Sequence, residues 1–266
     1  MSSDIKAAFF DIDGTLTSFV THVVPRSTID ALHALQKKDV KVFICSGRAP
    51  SHMGVVLDTI PVEFDGIVGL NGQFCTTRDG LDYRHPIDLH DVEIITDWLQ
   101  SHTDVVANYA ESNYGYFNRI NAALERTWNS LGKTAPKIDI CNPRQRIGNH
   151  RTFQISPYVD KATEAEIAGM CGNVRGVRWH PDFTDLIPAD GGKAVGMQVV
   201  LEHFGWSRDN AIAFGDGGND VDMLRFAGIG VAMGNATDEP KTVADYVTDS
   251  VDDAGISNAL HHFEIL

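Results

Sequence analysis

Basic residues are in short supply in this chain. Lys and Arg number 22 against 36 Asp and Glu, a net charge of -14 near neutral pH. Nucleic acid and anionic membrane surfaces reward surplus positive charge, so neither is expected as a standing partner. An anionic small molecule stays open, provided a metal ion, a few basic side chains and helix N-termini make a local positive site. Cysteine is scarce as well. Cys45, Cys75, Cys141 and Cys171 lie far apart without a C-x-x-C pair, which argues against a zinc site or disulfide framework and for buried free thiols in a reducing cytosol. No apolar run approaches membrane-spanning length, and Met1 to Lys6 lack the build of a secretion signal. A cytoplasmic location is therefore expected, and the Asn235-Ala236-Thr237 sequon reads as coincidence.

What is present is a repeated arrangement. Short apolar runs end in polar, Gly-rich or acidic loops, and amphipathic helices follow. Ala7 to Phe10 runs into Asp11-Ile12-Asp13-Gly14, Val40 to Cys45 into Ser46-Gly47-Arg48, Ile67 to Leu70 into Asn71-Gly72, and Ala211 to Phe214 into Gly215-Asp216-Gly217-Gly218. Strands without alternation are buried on both faces, as in a parallel sheet covered by helices. Ligands bind such sheets beyond the carboxyl ends of the strands, where all four loops fall. The expected connecting helices include Ser27 to Lys37, with Ser27 and Asp30 as a capping box and Ile29, Leu32 and Leu35 as its apolar stripe. Another follows Gly192, with Val195, Val199 and Phe204 as its apolar positions.

The middle of the chain differs. After the hairpin signal Arg78-Asp79-Gly80, helices are expected near Asp88 to Gln100, around Ile120, Leu124 and Trp128, and around Ala162 to Met170. Strands are expected near Val105 to Ala110, Tyr114 to Phe117, Thr152 to Ile155, Val177 and Leu186. This reads as an α+β insertion with an antiparallel sheet, entering near Arg84 and leaving near Pro188. The fold class is α/β: a Rossmann-like parallel-sheet core of residues 1–84 and 188–266, interrupted by residues 85–187.

Asp11 and Asp13 sit two positions apart at a strand end, so their side chains fall on one side of the chain. Two such carboxylates raise each other's pKa unless a cation neutralises them, and magnesium, a hard ion preferring oxygen, suits that need. Gly14 lets the backbone turn close to whatever is bound. The EF-hand alternative fails because its Gly belongs at the sixth loop position. In the second acidic cluster Asp216 could complete an oxygen-rich metal site, Asn219 offers an amide to a phosphate oxygen, and Asp220 could orient a neighbour. Ser46 and Gly47 can give a hydroxyl and an N–H to phosphate. Lys193, at a helix start, could stabilise a phosphoryl anion or hold Asp11 ionised. A Walker A loop is ruled out, since Ile187 stands where Gly is required and Ala194 where Ser or Thr is. Cys45 and Arg48 stand too close together for a cysteine-dependent phosphatase.

Taken in order, Asp11-Ile12-Asp13-Gly14-Thr15-Leu16, Ser46-Gly47-Arg48, Lys193 and Gly215-Asp216-Gly217-Gly218-Asn219-Asp220 resemble the four motifs of the haloacid dehalogenase superfamily of phosphohydrolases. Val231 to Ala236 and Asp253-Ala254-Gly255-Ile256 extend the resemblance to its Cof-like branch, whose type IIB cap lies between the second and third motifs. The resemblance implies a phosphatase of small phosphorylated metabolites such as sugar phosphates. Asp11 would be the nucleophile that carries an aspartyl-phosphate, and Asp13 the general acid and base. Mg2+ would be held by Asp11, the main-chain carbonyl of Asp13 and Asp216. Phosphate would be held by the backbone of Ile12, by Ser46 and Gly47, and by Lys193 and Asn219. Two departures stand out: Ser46 replaces the usual Thr, and Asp190-Gly191-Gly192 precedes the lysine in place of a small run ending in Ser. Two other readings compete: phosphomannomutase-like phosphoryl transfer, and a receiver-like phospho-accepting signalling module. A closing cap is compatible with a monomer, and a monomer or small homo-oligomer is expected. Specificity is expected in the cap, with Asn113-Tyr114, Arg119 and His180-Pro181-Asp182 as candidate positions.

Overall fold

A computed structural model describes residues 4–266; the part of the N-terminal expectation that rests on residues 1–3 lies outside it. In chain order the main elements are β1 (Ala7–Phe10), α1 (Arg26–Lys37), β2 (Lys41–Cys45), α2 (Pro50–Leu57), β3 (Gly66–Gly69), β4 (Phe74–Thr77), β5 (Asp82–Arg84) and α3 (Leu89–Ser101). There follow β6 (Ala107–Ala110), β7 (Gly115–Phe117), α4 (Ala122–Leu131), β8 (Gln154–Pro157), α5 (Lys161–Met170), β9 (Val174–His180) and β10 (Phe183–Pro188). The chain closes with α6 (Lys193–His203), β11 (Ala211–Gly215), α7 (Val221–Phe226), β12 (Ile229–Ala232), α8 (Asp238–Val243), β13 (Tyr246–Val247) and α9 (Gly255–His262).

Eight strands form one sheet in the order β13-β12-β11-β1-β2-β3-β4-β5, parallel except for the antiparallel β3-β4-β5 edge. Both faces of the short central strands are buried. Ala8 and Phe10 join one core with Leu32 and Leu35 of α1 and Leu260 of α9. Ala7 and Phe9 join another with Met197, Val200 and Leu201 of α6. Phe10 stacks on Phe214 at 5.0 Å and Phe9 on Phe43 at 4.9 Å. Each such ring contributes roughly 1.5–3 kcal/mol by leaving water, which anchors β1 between β11 and β2. Strand order reverses across β1, so the crevice beyond its carboxyl end is the topological switch point where open α/β sheets bind ligands. Asp11 is the first residue into that crevice.

The second sheet is antiparallel, in the order β7-β6-β8-β10-β9. Its own core packs Tyr109, Ile155 and Leu186 against Val92, Ile95 and Leu99 of α3 and Ile167 of α5. It forms the cap over the first sheet.

Several local expectations are corrected. Helix α1 starts at Arg26 with Pro25 before it and has no side-chain cap; the Ser27–Asp30 capping box does not form, because Asp30 is taken by Arg26 at 3.0 Å. The buried face of α6 is Gly196, Met197, Val200 and Leu201, with Val195 and Val199 half-buried, because Lys193 turns inward and sets the helix's rotation. Ile120 precedes α4 and is exposed. All four cysteines are free, but only Cys45 and Cys75 are buried. Among the described residues no helix is long and apolar enough to cross a membrane.

Candidate active site

The loop after β1 turns back at once. Ile12 C=O accepts the N–H groups of Leu16 and Thr17 and the Thr17 hydroxyl. Gly14 has φ +86, and a Cβ there would lie 2.1 Å from Asp216 Oδ2, so only glycine allows the two acidic loops to meet. Asn235 donates to Gly14 C=O at 2.8 Å and accepts from Val251 N–H at 2.9 Å, bracing the loop from the far side. The residue that opened the sequon is thus a strut for the Asp11 loop.

Lys193 is the hub of the charge arrangement. Its ammonium, fully buried at the start of α6, lies 2.7 Å from Asp11 Oδ1 and 2.5 Å from Asp220 Oδ1. Burial works against its charge, yet the Asp11 and Asp220 carboxylates outweigh it and hold the lysine above its usual range. The Asp190-Gly191-Gly192 departure therefore still delivers this lysine to Asp11. Burial raises Asp11 to about 7, opposed by Lys193 and reinforced by Asp220 and Asp13. Burial, with Asp11 and Asp220 as like charges, drives Asp216 well above its ordinary value. Asp216 Oδ1 accepts from the Thr15 hydroxyl at 2.9 Å. Asp220 Oδ2 accepts the N–H groups of Asp216 and Gly217 at 2.9 and 2.8 Å, closing the loop after β11 on itself.

Asp11, Asp216 and Asp220 each offer a carboxylate oxygen within 4.8 Å of the others. The Asp13 side chain is turned elsewhere. Arg48 grips it with both arms, Nε to Oδ2 at 2.6 Å and Nη2 to Oδ1 at 2.7 Å. The metal contact expected of Asp13 is its main-chain carbonyl, a separate atom. Burial opposes the Arg48 charge, but Asp13 outweighs it and raises the guanidinium further. Arg48 Nη1 also donates to Thr134 C=O at 2.9 Å, so this one side chain ties Asp13 to the cap.

Of the expected phosphate ligands, Ser46, Gly47 and Asn219 line one cavity with Asp11, Asp13 and Asp216. The Ser46 hydroxyl accepts from Arg48 N–H at 3.2 Å and keeps its own proton for another partner. Among the described residues no acceptor takes the Ile12 or Gly47 N–H. Burial pushes the Cys45 thiol well above its usual range, so the neighbouring sulfur is inert.

Sequence reasoning passed over a buried polar network that joins roof to floor. Asn71, at φ +52, donates to Gln154 Oε1 at 3.0 Å and Asp185 Oδ2 at 2.9 Å in the cap. Its carbonyl oxygen accepts from Asn219 Nδ2 at 3.0 Å. Asp185 also accepts from Ser156 at 2.7 Å; burial outweighs these bonds and raises it to about 6. The available signal was Asn71-Gly72 at a strand end, since Asn tolerates the left-handed region. The cap positions proposed from sequence lie elsewhere: Arg119 donates to Leu99 C=O at 3.2 Å, Tyr114 stacks on Tyr116, and His180 on Phe183. None of them lines the cavity.

The haloacid dehalogenase-like hydrolase family matches residues 8–260. The chain belongs to that family. It is 30% identical over 263 residues to the putative phosphatase YkrA of Bacillus subtilis, covering 99% of each. It is 44% identical over 262 residues to the 5-amino-6-(5-phospho-D-ribitylamino)uracil phosphatase YcsE of the same organism, covering 98% of this chain and 96% of that one. Among solved structures it resembles the subclass IIB sugar phosphatase BT4131, with a TM-score of 0.87, 33% identity, and coverage of 98% of this chain and all of that one. This member of the haloacid dehalogenase family is a phosphatase, a hydrolase of phosphoric monoesters, with the Rossmann-like core and cap of its relatives.

Proposed function

We propose that this phosphatase is magnesium-dependent, acts on small phosphorylated metabolites, and passes the phosphoryl group through Asp11. One observation carries the reading: buried Asp11 and partly buried Asp13 open into one cavity, the first held by Lys193 and the second by Arg48. The donor set fits a divalent cation. Three buried carboxylates face one ammonium, so ionising all three would leave two negative charges that a divalent cation would offset in a low-dielectric site. Asp11, Asp216 and the Asp13 carbonyl would hold Mg2+, since Asp220 is committed to Lys193 and two amides. When bound, the ion would neutralise charge on the transferring phosphoryl group.

The chain's own groups supply the rest. The N–H groups of Ile12 and Gly47, the Ser46 hydroxyl and the Asn219 amide bind phosphoryl oxygens and align phosphorus with Asp11. A carboxylate oxygen of Asp11 forms a bond to phosphorus as the bond to the alcohol oxygen breaks, and Asp13 gives that oxygen its proton. Asp13 then takes a proton from water, whose oxygen attacks phosphorus and expels the Asp11 carboxylate. Each Asp13 oxygen has two lone pairs, so the Arg48 pair leaves one on each for this exchange. Such acid–base help is worth about 10²–10⁴ in rate. Residues 85–187 form the cap and residues 1–84 and 188–266 the core in this reading, with no nucleic-acid or membrane partner and a cytoplasmic setting.

The relatives include a sugar phosphatase and a ribitylaminouracil phosphatase, so both kinds of small phosphomonoester are within reach. The test is p-nitrophenyl phosphate turnover. Many turnovers per chain with Mg2+, lost on chelation and restored on return of the ion, are expected. Turnover indifferent to chelation would contradict the metal assignment, and a single turnover per chain would favour the receiver-like alternative.

A further inference from the structure

The cavity above Asp11 holds about 240 Å³, slightly below the roughly 300–1,000 Å³ usual for ligand pockets. It therefore suits a small metabolite. Its lining is uneven in charge. Around the alcohol-facing part, the single fixed positive charge among the described residues is Arg48, whose arms are already committed to Asp13, His52 C=O and Thr134 C=O. Burial and Arg48 lower the neighbouring His52 to about 4. The opposite wall carries the Asp185 carboxylate. A second phosphate or a carboxylate on the substrate would meet no free cation there and one fixed anion.

The hydrogen-bonding capacity of the roof is nearly spent within the protein. Ser156 and Asn71 occupy Asp185. Gln154 is taken by Asn71, Ser156 and Gly47 C=O. Trp128 Nε1 donates to Pro136 C=O at 2.7 Å. Cavity-lining groups that stay available to a ligand include the Asn108 amide oxygen, the His52 imidazole, the Tyr158 hydroxyl and the Trp179 indole N–H beside Asp185. Each buried hydroxyl left unpaired costs about 1–3 kcal/mol, so a hexose, with its ring of hydroxyls, is poorly served. The remaining surface is aromatic and aliphatic: Phe117 packs edge-on against Trp128 at 5.0 Å, Phe183 edge-on against Trp179 at 5.1 Å, and Leu131 and Pro136 fill between. Such walls favour flat apolar rings.

We infer that the preferred substrate is a phosphomonoester whose alcohol bears a planar aromatic or heteroaromatic ring and no second negative charge. This rests on the phosphatase reading above and narrows it. The ring lies against Trp128 and Phe117, and the phosphoryl group reaches Asp11 along the polar strip formed by Asn108 and Ser46.

The experiment compares kcat/KM for benzyl phosphate, glucose 6-phosphate and 3-phosphoglycerate, with acetyl phosphate as a donor that needs no ring. Benzyl phosphate should exceed both other esters by about tenfold or more. Trp128→Ala should lower the ratio of benzyl phosphate to glucose 6-phosphate about tenfold, a change that misfolding cannot imitate because it would lower both. Trp179→Ala is the second variant should the first not fold. Benzylphosphonate, which cannot be hydrolysed, should quench tryptophan fluorescence at about a tenth of the concentration that methylphosphonate requires. Preference for glucose 6-phosphate or 3-phosphoglycerate, equal affinity for the two phosphonates, or an unchanged ratio in the variants would overturn the inference. Turnover of acetyl phosphate alone, with none of the esters, would overturn it too and leave the phosphatase reading standing. No turnover of any donor would defeat both.

Discussion

The floor of the cavity and its roof are built from different materials. The floor, made of loops that follow β1, β2 and β11, gathers Asp11, Asp13, Asp216 and Asp220 around Lys193 and Arg48. The roof, made by the antiparallel sheet and α4, is largely aromatic, and its few polar side chains are mostly bonded to one another. Buried charges are costly unless each has a partner, so the floor tolerates little change and is suited to one reaction. An apolar roof can be repacked at modest cost, so it is the part free to change substrate. In the proposed reading chemistry and selectivity reside in separate layers, joined by Asn71 and Arg48.

That division can be broken most forcefully at the floor. Asp11→Asn should reduce kcat by about 10⁴-fold or more, because the amide cannot accept the phosphoryl group; phosphate release measures it, and a loss under tenfold would assign the chemistry elsewhere. Lys193→Met removes the one cation among three buried carboxylates. It should cost about 3–5 kcal/mol of stability as well as activity, read by denaturant unfolding, and Mg2+ should recover part of the stability. Stability unmoved by Lys193→Met would mean that the floor's charges are solvated.

The roof should respond more gently. The folded-state pKa of Asp185 lies near 6, above its ordinary 3.8, so the native chain holds more protons than the unfolded one between those values. Stability from this group is therefore lost as pH rises from about 4 to 6. Asp185→Asn should flatten that segment, shifting the difference from wild type by up to ~3 kcal/mol in the variant's favour between pH 4 and 7. An identical pH profile in the variant would show that Asp185 titrates as an exposed carboxyl. The smallest effect is expected at the link between layers. Asn71→Gly keeps the φ +52 backbone without strain, so it isolates the amide; losing its bonds to Asp185, Gln154 and Asn219 should lower kcat/KM about tenfold. An unchanged kcat/KM would mean that the layers act independently.

The two layers also differ in how plainly the sequence speaks of them. Asp11, Ser46, Lys193 and Asp216 each follow an apolar run that had to be a buried strand or precede a helix, so their convergence at one sheet edge follows from topology. Carboxylates and glycines in that order are conspicuous because their chemistry is conspicuous. Phe117, Trp128 and Phe183 look the same in sequence whether they fill a core or line a cavity, and only the packing of the cap over the crevice separates the two. For that reason the polar stretches around Arg119 and His180 drew attention while the aromatic wall did not. Asn71 was legible as a turn residue, but its bonds to Gln154 and Asp185 span 83 and 114 positions, a distance no local pattern encodes. The expected capping box that does not form and the rotated face of α6 have the same origin: Arg26 and Lys193 found partners that outweighed the local preference.

The proposed chemistry of the floor depends on Asp11 itself carrying the phosphoryl group. Mixing the Asp13→Asn variant with a radiolabelled phosphomonoester and Mg2+, then quenching in acid before hydrolysis completes, tests it directly. The label should remain covalently attached and map to the peptide containing Asp11. A first turnover that releases labelled phosphate with no label on that peptide at any quench time would contradict it.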